Sequence, residues 1–472
     1  MKTYRLKIAE KDFEQIRSLV LASLPREAGS FALAGVADYG SGTDVVVRRP
    51  LKISKEDFSI QEEFRLGVSA RAINGLIALC EKNGLGAVLC HSHPEDIPYS
   101  PSDDYGEKRI FEVLYRFIPP KAPTASLLFF PGGVRGRVWL RGRPDPEPIS
   151  EIVVLGRQVM RIQREAVHRQ QAGSFGRVFD RQIRAFGQDG QSMIAQAKVG
   201  IVGVGGTGSP TAEQLIRLGV TDLTLIDPKC FDGSNITRMY GTFASVLRRR
   251  WWHVGKNARK KVGLVAAHLG KINPKARIKT VASSVVLEDG AKSLLDRDVV
   301  FLCTDEHWGR SIVNQIAYQY FIPTINLGMR ITAENHAISG ASGIVDIIRP
   351  DLPCLWCKQF LRADRIAAES MPRSARRALE QEGYVEGIDT PAPSVVSVNT
   401  ALSGLAVTLF LQLVTDFMGP GGDMARLNYN VMDGTVARGR TAIANECVCK
   451  KVRGFGDLKT LPTLRDLSFL EK

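Results

Sequence analysis

The chain has 472 residues, a formal net charge of +14, 44% hydrophobic residues and 24% charged residues. Its length exceeds the usual size of one hydrophobic core, so two domains are predicted, and its composition excludes a disordered or fibrous chain. The amino-terminal residues lack the apolar run of an export signal, so we expect a cytoplasmic protein. Apart from a basic stretch at 246–261, the Lys and Arg residues are scattered, which disfavours nucleic-acid binding and favours anionic ligands or an acidic partner.

The first region, residues 1–145, predicts a mixed α/β domain. FALAGVA from Phe31 and GAVLCH from Gly86 have the composition of strands, and a helical pattern covers residues 70–83. The charged and Pro-rich RGRPDPEPIS then interrupts regular structure. We therefore predict a linker and a helix over residues 146–175.

The second region, residues 176–450, alternates apolar strands with helices. AKVGIVG, DLTLID and RDVVFLC are strand-like, TAEQLIRLG is helical, and a long helix is expected around residues 256–270. This alternation predicts a doubly wound, mostly parallel sheet. Residues 451–472 form a carboxyl-terminal tail without a clear assignment.

An uncharged run from Ser394 to Thr415 is long enough to suggest a membrane helix. Its polar residues, such as Asn399 and Gln412, would lose solvation in lipid. A buried core helix or a subunit-interface helix is therefore the preferred interpretation, and no membrane partner is expected.

The run HSHPEDIPYSPSDD, which starts at His91, predicts a catalytic metal site. His91 and His93 alternate along one strand and face the same side of the sheet, and Asp103 follows in a Pro-containing loop. Two histidines and one carboxylate leave an open position for water on zinc. Glu27 is the candidate general base, and Ser100 is a candidate for stabilising an oxyanion.

These residues resemble the JAMM metallopeptidases, a family of deubiquitinating and ubiquitin-like-processing isopeptidases. The resemblance rests on Glu27, the HSHP run and SPSD. It implies a zinc isopeptidase domain over residues 1–145. Asp104 lies beside the expected ligand position, but the Ser-x-x-Asp spacing from Ser100 favours Asp103.

The segment GVGGTGS predicts a phosphate-binding loop between a strand and a helix. Its glycines allow backbone amides to approach phosphates closely: Gly203, Gly205, Gly206 and Gly208. Asp227 ends the next strand, where it can accept hydrogen bonds from ribose. On these residues alone, both ATP and NAD remain open.

The residues after Asp227 favour ATP. Asn235 and Arg238 lie just beyond the predicted sheet edge, where an NAD enzyme has no need of a cation. Lys261 follows on a helix, and Asp305 closes a later strand. Arg238 and Lys261 can neutralise the triphosphate while Asp305 holds Mg²⁺.

This region resembles the ThiF-type adenylyltransferases, the family of ubiquitin-activating and sulfur-carrier-activating enzymes. The resemblance includes FDRQIRAFGQDGQ and implies that Arg181 reaches the ATP phosphates of the other subunit in a homodimer. Carried over to this sequence, it also assigns ATP and Mg²⁺ binding to six residues: Gly205, Asp227, Asn235, Arg238, Lys261 and Asp305. The motif reads SNITRM instead of the family's SNLNRQ, and extra basic residues before Lys261 make Lys260 a possible substitute.

Two close cysteine pairs predict a structural zinc site. Cys354 and Cys357 form C-x-x-C, and Cys447 and Cys449 form C-x-C. Four thiolates suit a closed tetrahedral site, and disulfides are disfavoured in a cytoplasmic chain. The alternative is a set of unconnected surface thiols. The ThiF resemblance also implies a structural zinc at these positions.

The acyl-accepting cysteine of many ThiF-type enzymes has no counterpart here. Residues 358–446 contain no cysteine, and Tyr384 stands near the expected place. Three routes remain open: direct transfer to a partner's thiol, an oxyester on Ser394 or Thr390, or use of Cys230. The first two routes are favoured because Cys230 lies in the loop beside the predicted nucleotide site, where we expect a structural role for it.

Together, the two resemblances imply a bifunctional enzyme of a ubiquitin-like modifier pathway. It would adenylate the modifier's C-terminal carboxylate and hydrolyse peptide or isopeptide bonds after the same tail. A conjugating-enzyme-like protein is the expected acceptor. The alternatives are activation and trimming of a sulfur-carrier protein, and a non-catalytic scaffold that binds modifiers.

Overall fold

The computed structural model describes residues 2–163, 177–248, 260–381 and 393–468, which form two compact units. The first unit contains the described residues up to 163, together with Tyr318–Phe321 and Val452–Thr460. The second contains the remaining described residues. The first unit is therefore assembled from three separate parts of the chain.

The first unit has one large mixed sheet and a small hairpin. Its strands and helices are β1 (Thr3–Ala9), α1 (Glu10–Leu21), β2 (Gly29–Asp38), β3 (Gly42–Lys52), β4 (Phe58–Gln61), β5 (Leu66–Val68), α2 (Ala70–Asn83), β6 (Gly86–Ser92), α3 (Pro101–Leu114), β7 (Thr124–Phe130), β8 (Gly133–Trp139), β9 (Glu147–Pro148), β10 (Glu151–Leu155) and β11 (Val159–Gln163). The sheet order is β11-β10-β1-β3-β2-β6-β7-β8-β9, and β4 pairs with β5.

Strand β6 is buried on both faces and separates two hydrophobic clusters. Val88 and Cys90 belong to the cluster that contains α1, whereas Leu89 belongs to the cluster that contains α2 and α3. Because side chains alternate along a strand, His91 lies on the same face as Leu89. The fold thus directs His91 toward the side of the sheet that α2 and α3 cover.

The prediction of a linker and helix over residues 146–175 is wrong for residues 147–163, which form β9, β10 and β11. Strand β10 pairs in parallel with β1, and Ile152, Val153 and Val154 are buried. Pairing with a distant strand outweighs the helix-compatible local sequence. The predicted tail also contributes to the first unit: Asp457 N donates to the Val36 carbonyl at 2.5 Å.

The second unit contains an eight-stranded sheet. Its elements are α4 (Asp180–Gln196), β12 (Lys198–Val202), α5 (Gly208–Leu218), β13 (Asp222–Ile226), α6 (Ser245–Arg248), α7 (Lys261–Ile272), β14 (Arg277–Val281), α8 (Glu288–Lys292), β15 (Val299–Leu302), α9 (His307–Gln319), β16 (Thr324–Glu334), β17 (Ala337–Ile348), α10 (Ala363–Glu369), α11 (Arg373–Gln381), α12 (Val396–Thr415), β18 (Arg426–Asn430), β19 (Thr435–Arg438) and α13 (Val448–Val452).

The sheet order is β14-β13-β12-β15-β16-β17-β18-β19. The first five strands are parallel, as the alternating pattern predicts, and the last three add antiparallel pairs. The chain runs outward from β12 through β13 to β14 and then returns to the other side of β12. The order of the strands therefore reverses beside β12, and such points are where open α/β sheets bind ligands.

Helix α12 is long and apolar enough to cross a membrane by length and composition. Half of its apolar window is buried, and it packs against α5, β16 and β17. Its polar side chains are also satisfied within the unit, since Ser403 Oγ donates to the Thr207 carbonyl at 2.9 Å. These contacts are those of a core helix, as preferred from the sequence.

Candidate active sites

Three of the predicted metal ligands converge in the first unit. Nε2 of His91 lies 3.5 Å from Asp103 Oδ1, and Nε2 of His93 lies 3.5 Å from Asp103 Oδ2. One donor atom from each residue lies within 4.8 Å of the others. The arrangement provides two imidazole nitrogens and one carboxylate, a donor set that suits zinc.

The hydrogen bonding of the two histidines also fits a metal ion. Nδ1–H of His93 can donate to the Ile97 carbonyl at 3.2 Å, and Nε2 of the same ring faces Asp103. Nε2 of His91 is buried and has no hydrogen-bond partner among the described residues. A buried polar atom without a partner is costly, and a metal ion would satisfy it.

Glu27 and Ser100 lie next to these ligands, as predicted. Glu27 is 2% exposed, and its Oε1 lies 3.5 Å from His93 Nε2. Burial raises the pKa of Glu27 to about 7, against the opposing effect of the two histidines. A carboxylate with a pKa near neutrality is suited to accepting and returning a proton.

Ser100 caps helix α3 and holds Asp103. Its backbone amide and hydroxyl both donate to Asp103 Oδ2, at 2.7 and 2.8 Å, and its Oγ accepts from Asp103 N at 3.2 Å. This capping box fixes the carboxylate toward the histidines. The structure therefore places Ser100 as a positioning residue, and its role toward an oxyanion stays a prediction.

Asp103, not Asp104, faces the histidines. Asp104 is paired with Arg137, and its side chain is 52% exposed. The two residues are adjacent in sequence, but the helix turns their side chains in different directions. The geometry thus favours Asp103, and its role as the third ligand stays a prediction.

A buried polar network behind His91 was not predicted. The Tyr99 and His91 rings lie 5.7 Å apart, edge to face, and the Arg137 guanidinium carbon lies 3.6 Å from the Tyr99 ring centre. Glu107 Oε2 accepts from Arg137 Nε at 3.0 Å and from Trp139 Nε1 at 2.6 Å. The sequence could have indicated this network, because Glu107 follows Asp103 by one helical turn.

The glycine loop of the second unit joins β12 to α5 in a conformation that requires glycine. Gly203 has a φ of 87°, and a Cβ there would lie 2.7 Å from Thr304 N. A Cβ on Gly208 would lie 1.9 Å from the Gly203 carbonyl oxygen. A Cβ on Gly205 would meet nothing within 4 Å among the described residues, so the loop is open there. Its backbone lies at the amino-terminal end of α5, where anions bind.

Asp227 holds this loop in place. Its Oδ2 accepts from Val204 N at 2.9 Å, and its Oδ1 accepts from Lys229 N at 2.8 Å. Strands β12 and β13 are neighbours, so the carboxylate at the end of β13 reaches the loop after β12. Each carboxylate oxygen keeps a lone pair for a ribose hydroxyl.

The predicted polar residues lie around the same sheet edge. Asn235 is buried, and its Oδ1 accepts from Asp232 N at 3.2 Å. A Cβ on Gly206 would lie 3.6 Å from Arg238 Cδ, which places Arg238 beside the loop. Hydrogen bonds from Ser234 lower the pKa of Asp232, and the charges of Lys261 and Arg238 add to this effect.

The ammonium group of Lys260 is engaged within the protein, which favours Lys261 as the lysine for a ligand. Lys260 Nζ donates to the Pro228 carbonyl at 2.7 Å. Lys261 begins α7, and its backbone amide donates to the Lys229 carbonyl at 3.2 Å. This contact ties the start of α7 to the loop that carries Asp227.

Asp305 follows β15 and is 91% exposed, so its carboxylate is accessible. Lys229 Nζ lies 3.9 Å from Asp305 and 2.9 Å from Glu306. Two adjacent carboxylates at this edge are oxygen donors that fit Mg²⁺. Lys229 was not predicted from the sequence, although its position two residues after Asp227 could have indicated it.

Arg181 is exposed on α4, and its role in a second subunit stays a prediction.

The four predicted zinc-site cysteines meet in the second unit. The Sγ atoms of Cys354 and Cys447 lie 3.3 Å apart, and those of Cys357 and Cys449 lie 3.9 Å apart. Hydrogen bonding from the Cys449 thiol lowers the pKa of Cys354 to about 5, against the effect of burial. The cluster has the ligand set of a closed structural zinc site, which excludes unconnected surface thiols.

Of the candidate acyl acceptors, Ser394 lies at the glycine loop. Its Oγ accepts from Asn399 Nδ2 at 2.8 Å, and it would lie 3.5 Å from a Cβ on Gly206. Cys230 is exposed. Tyr384 and Thr390 lie outside the described residues.

Residues 179–450 match the model of the ThiF family, and this match spans more than half of the 472 residues. The chain therefore belongs to the ThiF family. The match covers the glycine loop, the polar sheet edge and the four cysteines. It begins after the first unit's main segment, so the JAMM resemblance of residues 1–145 stays a prediction.

Among similar proteins, ubiquitin-like modifier-activating enzyme 5 of Drosophila virilis is 26% identical over 242 residues, 48% of this chain and 54% of that protein. Adenylyltransferase and sulfurtransferase UBA4 of Yarrowia lipolytica is 27% identical over 158 residues, 34% of this chain and 37% of that protein. The chain thus spans about half, or less, of the length of these ThiF relatives. A crystal structure of E. coli MccB with ATP aligns with 59% of this chain and 75% of its own, with a TM-score of 0.45 and 15% identity.

Proposed function

We propose that the second unit adenylates the C-terminal carboxylate of a ubiquitin-like modifier. The observation that carries this proposal is the glycine loop at the strand reversal, held by Asp227 and flanked by Arg238. In the reaction, a carboxylate oxygen attacks the α-phosphorus of ATP, an acyl-phosphate bond forms, and pyrophosphate leaves. Family membership and the similarity to a modifier-activating enzyme support this assignment.

The surrounding residues neutralise and hold the nucleotide. Backbone amides of the loop bind phosphate oxygens, and Arg238 and Lys261 offset the negative charge that shifts onto the leaving pyrophosphate. Asp305 and Glu306 would hold Mg²⁺, which contributes positive charge to the triphosphate. Asp227 positions the loop and accepts from the ribose.

ATP–pyrophosphate exchange tests this activity. Small proteins with flexible Gly-ending tails, purified from the same organism, should each be assayed for stimulation of the exchange. The enzyme should be folded and zinc-replete in this assay. If none of the candidate modifiers then stimulates exchange, the assignment is contradicted.

For the first unit, we propose zinc-dependent hydrolysis of a peptide or isopeptide bond after the modifier's tail. The observation that carries this proposal is the buried Nε2 of His91, which faces Asp103 and makes no hydrogen bond among the described residues. A zinc ion bound by these three residues would supply a Lewis acid and lower the pKa of bound water to about 7. Glu27 accepts the proton of the attacking water and returns it to the leaving amine, and Ser100 keeps Asp103 in place.

Two measurements test the hydrolase. Elemental analysis should find two zinc ions per chain, one at the four cysteines and one at His91, His93 and Asp103. A modifier fused through its tail to a reporter should be cleaved by the zinc-loaded protein and not after chelation. Retention of the intact fusion by the zinc-loaded protein would contradict this activity.

The second candidate function is activation and trimming of a sulfur-carrier protein. The similarity to an adenylyltransferase and sulfurtransferase favours it, as does the lack of cysteine in residues 358–446. A sulfide-dependent thiocarboxylate on the carrier would support this function, whereas transfer to a conjugating enzyme's thiol would support modifier conjugation. Absence of nucleotide binding in calorimetry would instead support the non-catalytic scaffold.

A further inference from the structure

An open cavity of about 450 Å³ lies beside the candidate metal site of the first unit. It lies over β6, between α2, α3 and the β4–β5 hairpin, and His91 and Asp103 form part of its wall. Much of the remaining wall is apolar and includes Phe31, Leu66, Ile73, Leu89 and Ile110. Its volume falls within the range of roughly 300–1,000 Å³ that is typical of ligand pockets.

Glycine keeps part of this cavity empty. Gly106 lies on α3 and lines the cavity, and a Cβ there would meet no atom within 4 Å among the described residues. By contrast, a Cβ on Gly29, on another wall, would lie 3.1 Å from Leu66 Cδ2. The free space therefore lies on the α3 side, about one helical turn beyond Asp103.

A buried polar network supports part of the wall. Glu107 is 6% exposed and lines the cavity. Its Oε2 accepts from Ser126, Arg137 and Trp139, whereas its Oε1 is buried and has no hydrogen-bond partner in the part of the chain that the structure describes. These hydrogen bonds hold the Glu107 side chain in place in the wall.

We propose that this cavity binds a large apolar side chain of the substrate, on the acyl side and within about two residues of the scissile bond. An extended peptide advances about 3.3–3.6 Å per residue, and the cavity begins at the ligands His91 and Asp103. A tail of glycines alone would leave the apolar wall hydrated, so the preferred substrate carries Leu or Phe near its end. This inference rests on the proposed hydrolase function.

The test uses the full-length, zinc-loaded protein and four fluorogenic peptide amides that end in Gly-Gly, Ala-Gly, Leu-Gly or Phe-Gly before the scissile bond. The expected kcat/KM for the Leu and Phe peptides exceeds that for Gly-Gly by roughly 10- to 100-fold, because the cavity binds the side chain. Gly106→Leu fills the cavity and should abolish this preference. Gly75→Leu is the matched control, since Gly75 lies on α2, does not line the cavity and has equally free space.

A second readout does not require catalysis. Fluorescein-labelled product peptides with free carboxylates are titrated with the same proteins, and fluorescence anisotropy measures their binding. The Leu-Gly product should bind at least about tenfold more tightly than Gly-Gly to the wild-type and Gly75→Leu proteins, but not to Gly106→Leu. Elemental analysis should show unchanged zinc content in both variants.

The outcomes separate the two proposals. Equal kcat/KM for all four peptides, or a preference that survives Gly106→Leu, would overturn the pocket. If no peptide is cleaved but binding still depends on the apolar residue and on Gly106, the hydrolase function fails and the pocket stands. Absence of both cleavage and selective binding overturns the pocket as well.

Discussion

Nε2 of His91 lies 3.5 Å from Oδ1 of Asp103, although one residue ends a strand and the other begins a helix. The capping box formed by Ser100 sets the direction of Asp103, and strand β6 sets the direction of His91. Two ordinary rules of local structure thus bring a carboxylate and an imidazole to one point. His91 Nε2 is buried and makes no hydrogen bond in the part of the chain that the structure describes, and a metal ion shared with Asp103 would satisfy it.

Replacing Asp103 by Asn should remove one zinc ion per chain, because an amide oxygen carries no charge to hold the metal. Asp104→Asn is the matched control, since Asp104 pairs with Arg137 at the surface and should keep both zinc ions. Elemental analysis of the purified proteins measures the difference. Zinc loss in Asp104→Asn and not in Asp103→Asn would reverse the assignment.

Glu27→Gln should keep the zinc content but lower the cleavage of a modifier fusion by roughly 100- to 10,000-fold, as expected for loss of a general base. The amide is nearly isosteric but cannot accept the proton. Initial rates with the zinc-loaded protein measure the effect. A zinc-replete Glu27→Gln protein with wild-type rates would show that another group takes the proton.

Lys261→Ala should lower modifier-dependent ATP–pyrophosphate exchange by roughly 100- to 1,000-fold, the effect of removing one group that stabilises developing charge. Lys260→Ala should have a much smaller effect, because that ammonium already bonds to the Pro228 carbonyl. The two variants change the same side chain at adjacent positions. A larger loss in Lys260→Ala would mean that Lys260 serves the nucleotide.

Cys354→Ser should remove the structural zinc and destabilise the second unit, since the metal joins residues 354–357 to residues 447–449. Cys230→Ser should keep the metal because Cys230 is exposed and lies outside the cluster. Zinc content and thermal unfolding report the two effects. A stable, zinc-replete Cys354→Ser protein would contradict a four-cysteine site.

Gly456→Ala should destabilise the first unit. A Cβ there would lie 1.9 Å from the Val36 carbonyl oxygen, and the backbone φ is 54°. Gly40→Ala is the control: its φ of 84° carries a similar strain of about 1–2 kcal/mol, but a Cβ there meets no described atom within 4 Å. Thermal unfolding should show the larger loss for Gly456→Ala; equal losses would mean that the 452–460 segment contributes little.

The sequence by itself determined the parts of the sites that depend on local rules. Strand alternation placed His91 and His93 on one face, and the Ser100 to Asp103 spacing formed a cap. The glycines after β12 and the acidic residue after β13 marked the loop and the sheet edge. Each of these predictions needs only neighbouring residues and the geometry of a strand, a turn or a helix.

Tertiary structure alone decided the rest. Residues 151–155 form β10 because β1 offers a pairing partner far away in sequence, and Asp457 joins the first unit through its hydrogen bond to the Val36 carbonyl. Likewise, the cavity beside His91 arises where α2, α3 and a hairpin meet. These features depend on contacts between residues distant in sequence, and neither periodicity nor motif spacing encodes which distant surfaces will meet.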